Sequence, residues 1–163
     1  MRKQKGFSLI ELLIVVAIIL IIAAIAIPNL LRARMAANEA SAVGSVRTLN
    51  TAEVSYNSTF PATGFTSSIS QLGGTASPCV ASTLTGCLID SVLGTGTKSG
   101  YLFVGGAGST TGTPQPSYNV VASPTIPNQT GSRSFCSFED AVVRYSSAAI
   151  AANACVGTVS PLQ

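Results

Sequence analysis

The chain has 163 residues, 47% of them hydrophobic and only 9% charged, which allows one domain plus a membrane segment rather than two large domains. Of nine Lys and Arg, three (Arg2, Lys3 and Lys5) stand in the first six residues and the other six match the six Asp and Glu, so no basic patch recommends nucleic acid as a partner. There is no histidine and no tryptophan, which excludes Ser-His-Asp and Cys-His catalysis and histidine-based metal sites.

Residues 7–27 form a run of 21 positions in which only Ser8 and Glu11 are polar. As a helix this run is about 30 Å long, the thickness of a bilayer's hydrocarbon core. A lone carboxylate at such depth costs roughly 2.5–3.5 kcal/mol on insertion scales, so Glu11 calls for a partner or a purpose. A secretory signal is cut after its apolar core, but no small-x-small site follows Ile27, and the basic start already ends at Gly6. Two readings follow: an uncut anchor with Arg2, Lys3 and Lys5 in the cytoplasm, or a cut at Gly6 that frees an amino terminus at Phe7 and keeps the helix.

The order Gly6-Phe7-Ser8-Leu9-Ile10-Glu11-Leu12-Leu13-Ile14-Val15-Val16-Ala17-Ile18-Ile19 resembles the processing motif of type IV pilins and their pseudopilin relatives. That resemblance covers residues 1–60 closely and the remainder only in general plan. It implies that a membrane peptidase cuts after Gly6 and methylates the new amino group of Phe7. It also makes Glu11 the acid near the mature start, and puts Pro28 where many members kink. Glu11 lies four residues after Phe7, in the first helical turn, where the helix dipole favours an anion. Its partner is either the amino group of its own chain or the Phe7 terminus of a neighbouring helix held in register. Removing one member of such a buried pair costs roughly 3–5 kcal/mol.

Helical signal continues from Arg32 to Ser58, where Met35, Ala42, Leu49 and Tyr56 recur every seven residues with Leu31 and Val46 flanking the stripe. Ser41, Gly44, Thr48, Thr51 and Ser55 take the opposite side. Glu53 falls on the apolar side and is expected at its edge, reaching solvent. Phe60-Pro61 stops the helix, since a residue before proline disfavours helical geometry. Pro28, inside it, removes one hydrogen bond and is expected to bend the helix or melt it locally.

After Pro61 the composition turns to Gly, Ser, Thr and Pro. Residues 62–99 are expected as a long connection with a turn at Leu72-Gly73-Gly74, a Cys79–Cys87 loop and a short helix over Leu88-Ile89-Asp90-Ser91-Val92-Leu93. Strands are expected at residues 101–104, 117–122, 133–138 and 141–145, the last two flanking a tight turn at Glu139-Asp140. The fold class is therefore α+β: a long N-terminal helix whose outer half covers a small antiparallel sheet of three or four strands, loop-rich and stapled by disulfides. Cys79, Cys87, Cys136 and Cys155 all follow the apolar segment, as suits an oxidising compartment beyond the membrane. Of their three pairings, Cys79–Cys87 and Cys136–Cys155 close the shortest loops.

Other features are read plainly. Gly105-Gly106-Ala107-Gly108 lacks the lysine of a phosphate loop. Asp90, Glu139 and Asp140 are read as turn residues rather than calcium ligands. Asn57 and Asn128 begin glycosylation triplets that chance accounts for in so Ser/Thr-rich a chain. No catalytic residue, cofactor or metal is expected. The divisions expected are a cleaved leader (1–6), a transmembrane and filament-core helix (7–27), its amphipathic continuation (28–60) and a globular remainder (61–163).

The resemblance implies a structural subunit that polymerises with copies of itself through its hydrophobic helix. Its other partners would be the peptidase and methyltransferase, the membrane, and an inner-membrane assembly machinery. It would sit in the inner membrane with its N-terminus cytoplasmic, then in a filament. A type II secretion pseudopilin is the alternative, and an uncut membrane-anchored binding domain the remote one.

Overall fold

A computed structural model of the chain describes residues 7–74, 78–108, 112–150, 155 and 159–162. Helix α1 spans Leu9–Thr59, followed by a 3-10 turn at Ile69–Leu72 and a short helix α2 at Ser91–Gly94. Six strands follow: β1 (Thr97–Lys98), β2 (Tyr101–Ala107), β3 (Tyr118–Pro124), β4 (Ser134–Phe138), β5 (Arg144–Ser146) and β6 (Ser160–Pro161). They pair antiparallel in chain order, β1 to β6. The chain divides into two compact units, Met1–Arg34 and Met35–Gln163.

In the second unit the sheet alternates as pleating requires. Tyr101 and Phe103 of β2, Tyr118, Val120 and Ala122 of β3, and Phe135 of β4 are buried with Ala42, Val46, Leu49, Ala52 and Tyr56 of α1. The amphipathic stripe covers the sheet, giving the α+β, pilin-like architecture expected. The other face of β3 and β4 turns Val121 and Cys136 toward Ile150 and Cys155, a second and smaller cluster. Disulfides join Cys79 to Cys87 and Cys136 to Cys155.

Several expectations need correction. Among the described residues the sheet has six strands, not three or four, because two-residue strands such as β1 and β6 are too short to show alternation. Strand β2 runs on past its expected end at Val104, through Gly105 and Gly106 to Ala107. At Gly106 (φ 136°) a Cβ would stand 2.2 Å from the Ser67 carbonyl oxygen, so the strand passes there only as glycine. Helix α2 starts at Ser91 rather than Leu88, since Asp90 is extended (φ −66°, ψ 153°) at the N-cap position, and the N–H groups of Leu88 and Ile89 before it donate to the Leu72 carbonyl (2.8 and 3.3 Å). Asp90 Oδ1 caps α2 by accepting from the Leu93 N–H at 2.9 Å. Strand β5 starts at Arg144 rather than Ala141: the Ala141 N–H closes the turn onto Phe138 and its carbonyl accepts from Asn50. Helix α1 passes Pro28 unbroken, so the local melting foreseen there is absent, and it ends one residue beyond Ser58.

Candidate assembly site

In the first unit every large apolar side chain from Phe7 to Leu31 is exposed, with Phe7 76% accessible. Glu11 is likewise exposed in the first turn of α1, where the Leu12 N–H donates to the Ser8 carbonyl at 3.2 Å. Pro28 is exposed further along the same run. Contiguous apolar surface of this extent is rare on soluble monomers and marks a face that meets protein or membrane. The helix is long and apolar enough to cross a membrane.

The second unit positions its acids with care. The stripe that enters the core follows three-four spacing, Met35, Glu39, Ala42, Val46, Leu49, Glu53 and Tyr56, so two carboxylates ride on it. Glu53 is 0% exposed, which overturns its expected place at a solvent edge. Its oxygens accept from the Thr66 N–H (3.1 Å) and the Thr66 hydroxyl (2.6 Å). Burial raises its pKa above the usual carboxylate range, and the two Thr66 hydrogen bonds offset that only in part.

Glu39 takes the opposite solution. Its Oε1 accepts from the Ser132 N–H (2.8 Å) and hydroxyl (2.9 Å), and its Oε2 from the Arg133 Nε (2.8 Å) and Nη2 (2.7 Å). Burial alone would raise this carboxyl, but the hydrogen bonds from Ser132 and Arg133 outweigh it and hold the pKa below the ordinary value. Close by, the Tyr101 hydroxyl donates to the Arg133 carbonyl at 2.8 Å, and burial followed by the Glu39 charge pushes that phenol up to about 12.

Of the three acids read as turn residues, two have partners among the described residues. Asp90 caps α2 and pairs with Lys98 at 3.0 Å, and Asp140 pairs with Arg144. The Tyr56 hydroxyl donates to the Thr83 carbonyl at 2.6 Å, tying the Cys79–Cys87 loop to α1. The structure thus brings together the cysteine pairs. Among the described residues no protein surface lies against Phe7, Glu11 or Pro28, all three of which are exposed, and Gly6 lies outside them. Sequence reasoning missed Glu39, Thr66 and Ser132. The signal for Glu39 was its place on the three-four stripe, whereas Thr66 and Ser132 lie in stretches with no periodicity.

Residues 1–27 match the model of the prokaryotic N-terminal methylation motif. The exposed helix is headed by a prepilin-type motif. The resemblance to type IV pilins and pseudopilins therefore holds over the segment that carried it. The chain is 69% identical over 39 residues to the type IV wide pilus major component PilA4 of Thermus thermophilus, covering 24% of this chain and 30% of that one. It is 46% identical over 54 residues to the type IV major pilin protein PilA of Myxococcus xanthus, covering 33% and 24%. With the type II secretion system core protein G of Vibrio cholerae it shares 41% identity over 66 residues, 39% of this chain and 45% of that one. The chain thus spans less than half the length of each of these curated relatives. No solved structure matches it.

Proposed function

We propose that the chain is the prepilin of a type IV pilus-like filament, processed after Gly6, methylated on the Phe7 amino group and polymerised through its hydrophobic helix. The observation that carries this reading is the conjunction of a methylation motif over residues 1–27 with an apolar helix exposed at every large side chain from Phe7 to Leu31. Such a helix serves twice, first dissolved in lipid and then packed among sister helices. Transfer between two apolar surroundings changes little hydrophobic free energy, so packing and charge pairing decide assembly. Glu11 supplies that pairing by meeting the cationic Phe7 terminus of a neighbour, which satisfies both charges only in register. Partners are then further copies of the chain, the processing peptidase and methyltransferase, and an inner-membrane assembly machinery. The chain waits in the inner membrane with its N-terminus cytoplasmic and ends in a filament. The role is structural rather than catalytic.

A second reading, a pseudopilin of a type II secretion machine, draws on the similarity to core protein G. Mass spectrometry of the mature chain tests both against an uncut anchored domain: a methylated Phe7 start is expected, and an intact Met1 overturns them. Deleting the gene then separates the two, through loss of surface filaments for the pilus and loss of an exported protein for the secretion machine.

A further inference from the structure

Among the described residues three ion pairs join Lys98 to Asp90, Arg133 to Glu39 and Arg144 to Asp140, and Glu53 is held by Thr66. Among the described residues of the second unit, two exposed charged side chains of opposite sign are left over, Arg47 on α1 and Glu139 in the β4–β5 turn. In a chain with so few charges, one left-over side chain of each sign is a complementary pair. Arg47 borders a groove of about 370 Å³ whose walls are Ala36, Ala40 and Val43 of α1 with Leu162, and whose other cation is Arg133, 42% exposed. Among the described lining residues the one carboxylate, Glu39, is spent on Arg133, so they form an apolar groove with a net positive rim. The β4–β5 turn has the complementary character: Asp140 is neutralised by Arg144, while Glu139, Ala141 and Val142 are exposed.

We propose that this groove receives the β4–β5 turn of a second copy of the chain, with Glu139 of the incoming copy meeting Arg47 and its Ala141 and Val142 lying on the apolar wall. The proposal rests on the filament reading, in which burying residues 7–31 among sister helices brings sister domains within reach. A rim pair of this kind sets register and choice of partner more than raw affinity. Repetition at every subunit multiplies its effect.

The test uses the full chain in cells that make filaments, counted by electron microscopy. Arg47→Glu and Glu139→Arg are each expected to cut filament yield by about tenfold or more, since like charges then face each other. Producing the two single variants together is expected to restore filaments that contain both chains, because each supplies the charge the other lacks. If both single variants give wild-type yield, the proposal fails. It fails equally if only the doubly reversed chain recovers and co-production does not, because the pair then lies within one chain. The amount of disulfide-bonded chain in the membrane is the folding control. Where a reversal lowers it, Arg47→Gln and Glu139→Gln are used instead, and the double variant should lose no more than either single one; additive losses overturn the proposal. A wild-type chain that makes no filaments overturns the filament reading and this docking together, whereas normal filaments indifferent to both reversals overturn the docking alone.

Discussion

Glu53 and Thr66, thirteen positions apart, are both completely buried, and the carboxylate of one accepts both the backbone N–H and the hydroxyl of the other. The link fastens the segment that turns away at Phe60-Pro61 back onto the helix it has just left. Burial makes it costly to charge, and two donors make it costly to remove.

Replacing Glu53 by Ala strands the two Thr66 donors in the core and should destabilise the second unit by about 1–3 kcal/mol. Glu53→Gln keeps an acceptor and should cost less. The pKa of this group is raised in the folded state, so its contribution is fully present below the ordinary carboxylate pKa and is lost as pH rises through the raised value. Denaturant unfolding of the full chain in detergent across pH reads both effects: the Gln variant should lack this decline, and an unchanged pH profile would contradict the raised pKa.

Glu39 should behave with the reverse sign. Its folded pKa is lowered, so its stabilisation is present above the usual carboxylate range and is lost as pH falls below it. Glu39→Gln should therefore weaken the fold at neutral pH by about 1–2 kcal/mol, discounted because the Arg133 partner is 42% exposed. That deficit should shrink steadily on acidification. A deficit constant from neutral pH to pH 3 would show that the charge of Glu39 contributes nothing.

Much of this architecture is legible in the residues because its signals are local. The run from Phe7 to Ile27, the seven-residue recurrence of Met35, Ala42, Leu49 and Tyr56, and the stop at Phe60-Pro61 each concern neighbours in sequence, and α1 ends within one residue of its expected limit. Glu53 misled because a lone acid on a stripe is cheapest in water, and nothing in sequence marks Thr66 as its distant donor. The helix expected at Leu88 starts late because Asp90 stays extended and caps it, while the chain before it is held by long-range bonds to Leu72 that no local pattern shows. At the candidate site the motif was visible, whereas the groove beside Arg47 was not, since it exists only once Leu162 folds back toward α1.

The two disulfides should differ in weight. Cys136–Cys155 spans 19 residues and its sulfurs sit in the buried cluster with Val121 and Ile150, while Cys79–Cys87 spans 8 residues. Chain-entropy arguments give about 3 kcal/mol for the longer loop and about 2.5 kcal/mol for the shorter. Serines at the buried pair also place two hydroxyls in an apolar site, so Cys136→Ser with Cys155→Ser should lower the melting temperature more than Cys79→Ser with Cys87→Ser. Equal losses would mean that the buried cluster adds nothing beyond loop closure.

Glu11→Ala isolates the role of the exposed helix, because the substitution acts oppositely on its two environments. Dissolved in lipid, the chain loses a carboxylate that costs roughly 2.5–3.5 kcal/mol to insert, so membrane insertion should proceed at least as well as in the wild type. In the proposed filament, each Phe7 terminus packed among sister helices would lose its counter-charge, and an unpaired buried cation costs roughly 3–5 kcal/mol per subunit. Cells carrying Glu11→Ala should therefore hold normal amounts of processed chain in the membrane fraction and show few or no filaments by electron microscopy. Glu11→Gln, which keeps the shape and one acceptor but not the charge, should fall between the two. Normal filaments from the Ala variant would mean that the acid pairs within its own chain or with water, and that packing alone drives assembly.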